Sequence, residues 1–261
     1  MSALLRHMRI AITRSVPPSI VRCELTHLQR RPIDLPRASA QHDEYERLLE
    51  ELGCVVRQLR ATPHLPDSTF VEDTAVVVDE CAVITRPGAA SRRDETESVA
   101  LALAEYRPLV RLMEPATLDG GDVLVTGRRV YVGLSSRTNA EGVRQLSAAL
   151  EPHRYRVAAV LVRDCLHLKS AVTPLGDGRL LLDPRSVDAA SFDGAPTLEV
   201  DTDERFAANV LAVDGTVIVP ANAPRTRERL EREGYVVRPL NLTELAKAEA
   251  GLTCCSLLFT R

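Results

Sequence analysis

A strand–turn–strand unit that recurs down the chain constrains the fold more than any other feature. Its clearest copy lies in residues 70–93, FVEDTAVVVDECAVITRPGAASRR. The apolar runs 75–78 and 82–85 are split by Asp79, Glu80 and Cys81. Val, Ile and Thr dominate both runs, a composition that suits the pleated, half-buried surface of a β-hairpin better than a helix. Residues 122–126 and 129–137 around a Gly127-Arg128 turn repeat the pattern, as do 170–174 and 179–183 around Gly176–Gly178, and 209–213 and 216–220 around Asp214-Gly215. The copies begin near 74, 122, 170 and 209, and Ser256 marks a matching start 47 residues further on. A period in this range points to a radial or stacked array of supersecondary units. The fifth copy, 256–260, has no second strand after it, and residues 8–13 at the other end of the chain could supply one. Helical stretches at 139–150 and about 225–233, followed by 155–162 and 235–240 read as the innermost strand, make each unit β-β-α-β. The expectation is an α/β ring closed by its N- and C-terminal strands, without the exposed edges of an open array.

Length and charge set the bounds. A chain of 261 residues can bury one large core but not two comfortable domains and a linker, and no low-complexity stretch divides it, so 1–261 is expected to be one domain. With 33 basic and 36 acidic residues the net charge is −3, and no dense cationic block stands out; nucleic acid is excluded as a partner in favour of a small molecule. Residues 1–10 carry two Arg and a His without a long apolar core, and no later run approaches a membrane span, so no membrane partner and a cytoplasmic location are expected. Six cysteines without metal-finger spacing read as reduced thiols. Between the units, 40–53 reads as a helix stopped by Gly53, 54–59 as a strand and 91–105 as a helix. Leu25, beyond the extended loop imposed by Pro17 and Pro18, is a candidate lid residue.

The chemistry-bearing residues gather at one end of these units. Glu72 and Asp73 open the first hairpin and an Arg pair, Arg92-Arg93, closes its stretch, which offers acids at one end and cations at the other; Asp67 precedes the acid pair closely. Cys254 and Cys255 stand immediately before the fifth strand, where a stabilised thiolate would be a nucleophile. His167 precedes the third unit by about the same distance, and Asp119 precedes the second at the offset of His167 from Ser170. A carboxylate there can orient the imidazole, the third role in a nucleophile–base–orienter set. Singly, each has a plainer explanation: core thiols, a hydrogen-bonded histidine, a Gly-rich turn acid, solvated surface charges such as Arg92 and Arg137. Their equivalent placement in successive units of a ring, converging on one centre, outweighs those separate explanations.

The strings LPDSTFVEDTAVV, ITRPGAASRR, ATLDGGDVLVTGR, VGLSSRTN, LHLKS and LTCCSLL, in this order, closely resemble the dimethylarginine dimethylaminohydrolase family of the guanidino-modifying, or pentein, superfamily, over most of the chain from about residue 10. The resemblance implies a five-bladed α/β propeller of ββαβ units. It implies hydrolysis of an Nω-methylated L-arginine to L-citrulline and a methylamine through a covalent cysteine thiouronium, with no cofactor and no metal. It places the nucleophile at Cys254, the base at His167 and the acid at Asp119. Guanidinium-binding acids fall on Asp67, Glu72 and Asp73, carboxylate-binding arginines on Arg92 and Arg137, the lid leucine on Leu25, and a ligand-contacting position near the nucleophile on Ala248. The lead-in 248–251, Ala-Glu-Ala-Gly, is softer than the family's hydrophobic-acidic-Gly version. The partner is a methylated arginine, and a homodimer is carried as an expectation. Arginine deimination, amidino transfer or non-catalytic guanidino-ligand binding are the alternatives, and two ligands, Cys254 and His167, are too few for a structural zinc site.

Overall fold

In the computed structural model, residues 8–261 are described. Their strands are β1 (Arg9–Arg14), β2 (Cys54–Leu59), β3 (Ala75–Val77), β4 (Ala82–Ile84), β5 (Leu109–Arg111), β6 (Val123–Thr126), β7 (Arg129–Leu134), β8 (Arg156–Leu161), β9 (Val172–Pro174), β10 (Leu180–Leu182), β11 (Thr197–Glu199), β12 (Leu211–Val213), β13 (Thr216–Pro220), β14 (Val236–Leu240) and β15 (Leu257–Thr260). They form five three-stranded sheets, β3-β4-β5, β6-β7-β8, β9-β10-β11, β12-β13-β14 and β15-β1-β2. In every sheet the first two strands are antiparallel and the third is parallel to the second. This is the five-bladed α/β ring that the repeat predicted. Its seam is the antiparallel pair β1–β15, in register from Arg9 opposite Thr260 to Ile12 opposite Leu257. Ile10, Ile12, Leu257 and Phe259 bury that seam against Ala75, Ala82 and Ile84 of the first blade.

The crossover from second to third strand carries α1 (Leu35–Glu51) in the seam blade, then α2 (Thr96–Leu103), α3 (Ala140–Leu150) and α5 (Pro224–Arg232), with α4 (Leu168–Ala171) and α6 (Thr243–Ala246) as single turns elsewhere. The third blade has only a 3₁₀ turn, Ala189–Phe192, in that place, which accounts for the shorter interval between the third and fourth units. α1 begins five residues before the expected boundary. Asp34 caps it by accepting from the Arg37 N–H, and Pro36 fits the first turn, where no intrahelical donor is needed. The stretch expected to be helical over 91–105 divides into a 3₁₀ turn, Ala90–Glu95, and α2.

One expectation is reversed. Residues 155–162 and 235–240 form the outermost strands of their blades, not the innermost. Leu161 is 70% and Val236 63% exposed, whereas neighbouring first strands pack on one another around the centre: β15 on β3, β6 on β9, β9 on β12. The tight turn keeps the first two strands adjacent, and the strand returning from the helix pairs parallel with the second strand's free edge, which leaves the first strand at the centre.

A short helical turn precedes four of the five central strands: Val71–Thr74, Gly120–Asp122, α4 and Thr253–Cys255. These turns pack on one another at one end of the ring; Glu72, Asp73 and Cys254 lie in them, and Asp119 and His167 immediately precede two of them. No described helix is long and apolar enough to cross a membrane. Residues 1–7, on which most of the leader-segment expectation rests, lie outside the described residues.

Candidate active site

His167 is the residue before α4, and its extended backbone (φ −135°, ψ 157°) turns the side chain into the ring centre. Its Nε2 lies 3.0 Å from Oδ2 of Asp119, which is fully buried at the start of the Gly120–Asp122 turn. Its Nδ1 lies 3.8 Å from Oδ1 of Asp73. Burial alone would lower the imidazole's proton affinity, but Asp73, the Asp119 hydrogen bond and Asp122 overcome it, and the pKa is raised to about 9. The same pairing, with Arg92 and the Gly121 N–H, outweighs burial at Asp73 and brings that carboxyl down to about 2. At neutral pH the free site therefore holds an imidazolium between two carboxylates.

Cys254 lies in the Thr253–Cys255 turn, and its Sγ accepts the Gly251 N–H at 3.3 Å. Burial, then the Glu72 and Asp73 carboxylates, push this thiol well above its ordinary range. Cys255 is fully buried and faces the Gly251 carbonyl, and burial pushes its thiol well above its ordinary range.

The acid pair lies on the turn before β3. Glu72 Oε1 pairs with Lys169 Nζ at 2.5 Å and Oε2 accepts from Thr253 Oγ1 at 2.8 Å, next to the thiol. Burial raises the Glu72 carboxyl, with Lys169 opposing. Asp73 Oδ2 is 2.5 Å from Arg92 Nη1, and Oδ1 accepts from Gly121 N at 2.9 Å. The hairpin thus folds the two ends of its own sequence together: Arg92 meets Asp73 instead of standing at the far pole. Its Nε and Nη2 bond Glu95, and Nη2 also reaches the Asp67 and Phe70 carbonyls. One N–H of Nη1 is left over, by the donor count of a guanidinium. Asp67 accepts the Glu24 N–H on both oxygens, at 3.2 and 3.1 Å, and is raised by burial. Arg137 is half-buried and donates to Thr26 Oγ1 at 2.9 Å.

One cavity is lined by Asp67, Asp73, Arg92, Arg137, His167, Ala248 and Cys254, together with Glu24, Phe70, Leu166, Glu249 and Ala250. Seven of the ten expected site residues thus share it. Glu72 and Asp119 stand one contact behind, through Thr253 and His167, and Leu25 packs half-buried on the apolar cluster that holds Ala248 and Cys254. The sequence reading missed Lys169, Glu95, Asp122 and Asn209. Asp122 accepts Leu168 N, Ser135 Oγ and Thr138 Oγ1, fixing the start of α4; burial raises its carboxyl to about 6. Asn209 bonds the Lys169 carbonyl and both the N–H and hydroxyl of Thr253. It stands two residues before β12, whereas His167 stands five before β9, so its offset from the strand gave no signal in the sequence. Asp73, Asp119 and His167 are close enough to share a metal ion, as are His42, Asp43 and Glu46 on α1. In the first group both imidazole nitrogens already face carboxylates.

Five ββαβ blades around a Cys–His–acid centre define the guanidino-modifying class of enzymes, and the arginine deiminase family model matches residues 60–192. The N(G),N(G)-dimethylarginine dimethylaminohydrolase of Pseudomonas aeruginosa is 38% identical over 87% of this chain and 90% of its own length, and that of Streptomyces coelicolor 40% over 94% and 95%. The chain belongs to the dimethylarginine dimethylaminohydrolase family. The solved Pseudomonas aeruginosa enzyme, a Cys-to-Ser mutant complexed with citrulline, superposes with a TM-score of 0.91 at 36% identity, covering 97% of this chain and 100% of that one. The N-terminal domain of a cyanobacterial arginine dihydrolase, ArgZ, shares the fold at a TM-score of 0.88 and 21% identity.

Proposed function

We propose that residues 1–261 act as one catalytic domain that hydrolyses Nω-methylated L-arginine to L-citrulline and the methylamine. The observation that carries this is the excess of buried carboxylate around one nucleophile. Asp67 and Asp73 line the cavity and Glu72, Asp119 and Asp122 stand behind it, and burial raises three of the five, Asp67, Glu72 and Asp122, for want of enough positive charge. A guanidinium supplies that charge in a planar form that suits charge-assisted hydrogen bonds.

Glu72 and Asp73 hold the guanidinium, with Asp67 beside them. Arg137 and the remaining Nη1 donor of Arg92 take the α-carboxylate, while Leu25 and Ala248 close on the substrate's apolar stem. The bound cation offsets the carboxylates that keep Cys254 protonated, so substrate favours its own thiolate. The thiol proton passes to solvent and sulfur attacks the guanidinium carbon. His167, already protonated, donates from Nδ1 to the departing amine nitrogen while Asp119 holds Nε2, and the C–N bond breaks to leave a thiouronium on Cys254. The now neutral His167 takes a proton from water as its oxygen adds to the same carbon. Collapse breaks the C–S bond and leaves citrulline, the adduct's hydroxyl proton passing through solvent to the departing sulfur, so that Cys254 is again a thiol and His167 again protonated. Six unpaired cysteines favour a reducing, cytoplasmic setting for this thiol chemistry.

The test is citrulline release from asymmetric dimethylarginine, with L-arginine and the Cys254→Ser protein in parallel. Turnover of the methylated substrate, falling by about 10⁴-fold or more in the variant while substrate still binds, is the expected result. Preference for unmodified arginine would move the chain to deimination, and full activity in the variant would remove Cys254 from the role.

A further inference from the structure

We propose that Glu249 is a positioning residue that latches the 24–28 segment over the cavity and ties its closure to the placement of the nucleophile loop. The inference rests on the functional reading above. Three successive backbone N–H groups, of Thr26, His27 and Leu28, converge on the Glu249 carboxylate: Thr26 at 3.1 and 3.0 Å, His27 and Leu28 each at 2.5 Å. Successive N–H groups of this kind form an anion-binding concavity. Here the anion comes from a residue more than 220 positions away. Glu249 also adopts a left-handed backbone, φ 61°, which a non-glycine residue holds only where its surroundings dictate it. Ala248 on one side lines the cavity, and Gly251 on the other donates to Cys254. The carboxylate and the thiol's hydrogen-bond partner are therefore carried by one short segment.

Two of the segment's other tethers belong to the substrate site itself, and a third, from Ser91 Oγ to the Glu24 carboxylate, holds only its first residue. Asp67 accepts from Glu24 N and Arg137 donates to Thr26 Oγ1, and both are assigned to the substrate in the reading above. Over residues 26–28, Glu249 is the tether that substrate does not need to displace. With the segment closed, the cavity measures about 20 Å³, room for roughly one water. Arginine-sized molecules enter only when the segment swings out, so the strength of the Glu249 contact sets how long the site stays closed around substrate.

Glu249→Ala and Glu249→Asp test this, by hydrogen exchange of the 24–28 amides, by the rate at which iodoacetamide labels Cys254, and by kcat and KM. In Glu249→Ala the 24–28 amides should lose protection, Cys254 should label about tenfold faster, and KM should rise about tenfold with a smaller change in kcat; protection elsewhere should be unchanged. Glu249→Asp should recover part of each effect. Unchanged exchange and labelling would overturn the latch, and lost protection without any change in labelling or KM would overturn its coupling to the nucleophile. Exchange and labelling need no turnover, so they remain decisive even if the substrate assignment fails.

Discussion

His167 keeps its proton to about 9, against an ordinary 6.5, because the carboxylates around it outweigh its burial. The acid for the leaving amine is thus in place before substrate arrives, and the missing charge is the one on sulfur. The same shift makes stability depend on pH. A raised folded-state pKa contributes stability in full below 6.5 and loses it as pH rises through about 9. Burial lifts Glu95 to about 7 and Asp122 to about 6, so each also binds protons more tightly when folded, and stability again falls with rising pH. Asp73, depressed from 3.8 to about 2, acts oppositely, but its contribution is lost only as pH falls through about 2. The thermal midpoint should therefore decline steadily from pH 6.5 to 9. Asp119→Asn, which removes the charge on Nε2's partner, should lower the pKa of His167 and move the decline to lower pH. A calorimetric midpoint that stays flat over that range would exclude a charged His167 in the free protein.

At the scale of elements, the short turn before each central strand decides what the strands alone do not. Asp119 stands at one such turn, His167 at the next and Cys254 in a third, and their equivalent offsets from the strands were visible in sequence. The depth of the turns was not: strand periodicity reports which residues face a core, but a single helical turn is too short to show a period. Gly120-Gly121 reads as loose punctuation in the sequence and is closely packed in the structure, where a Cβ on Gly120 would clash with the Glu72 carbonyl oxygen. A Cβ on Gly121 would lie 2.7 Å from His167 Nδ1 and 2.8 Å from Asp73 Oδ1, while the Gly121 N–H bonds that same carboxylate. Gly121→Ala should therefore displace the reacting nitrogen itself. Stability should fall by about 1–3 kcal/mol through overpacking, and kcat/KM by about 10²-fold through misplacement. A variant that loses stability without losing catalytic rate would show that the turn is structural only. The ion pairs Lys169–Glu72 and Arg92–Glu95 were illegible for a related reason. They join residues from different blades or bury a charge that the sequence presents as an ordinary surface group.

For the whole molecule, the ring was readable because its units repeat and its last unit is incomplete, whereas the radial order within a blade was read inside out. Periodicity gives the number of strands but not which edge of a hairpin the returning strand will join. The closure makes residue 8 and the last residue neighbours: Arg261 N donates to the Met8 carbonyl at 2.8 Å, beside the β1–β15 pair. Nothing in the ring then requires the chain to begin where it does. Omitting residues 1–7, joining Arg261 to Met8 by a short Gly/Ser linker and opening the chain at the Asp214-Gly215 turn leaves all five sheets and every cavity-lining residue intact. That turn lies between antiparallel strands, and a Cβ on Gly215 would meet open space. The permuted protein should keep citrulline-forming activity within about threefold, and it should unfold in one cooperative transition if the blades form a single domain. Opening the chain at Gly251 instead separates the Glu249 segment from Cys254 and removes the N–H that meets its sulfur, so activity should vanish there. Two separated unfolding transitions in the first permutant would mean that the blades are not one domain, and loss of its activity would mean that the site depends on chain order as well as on the ring.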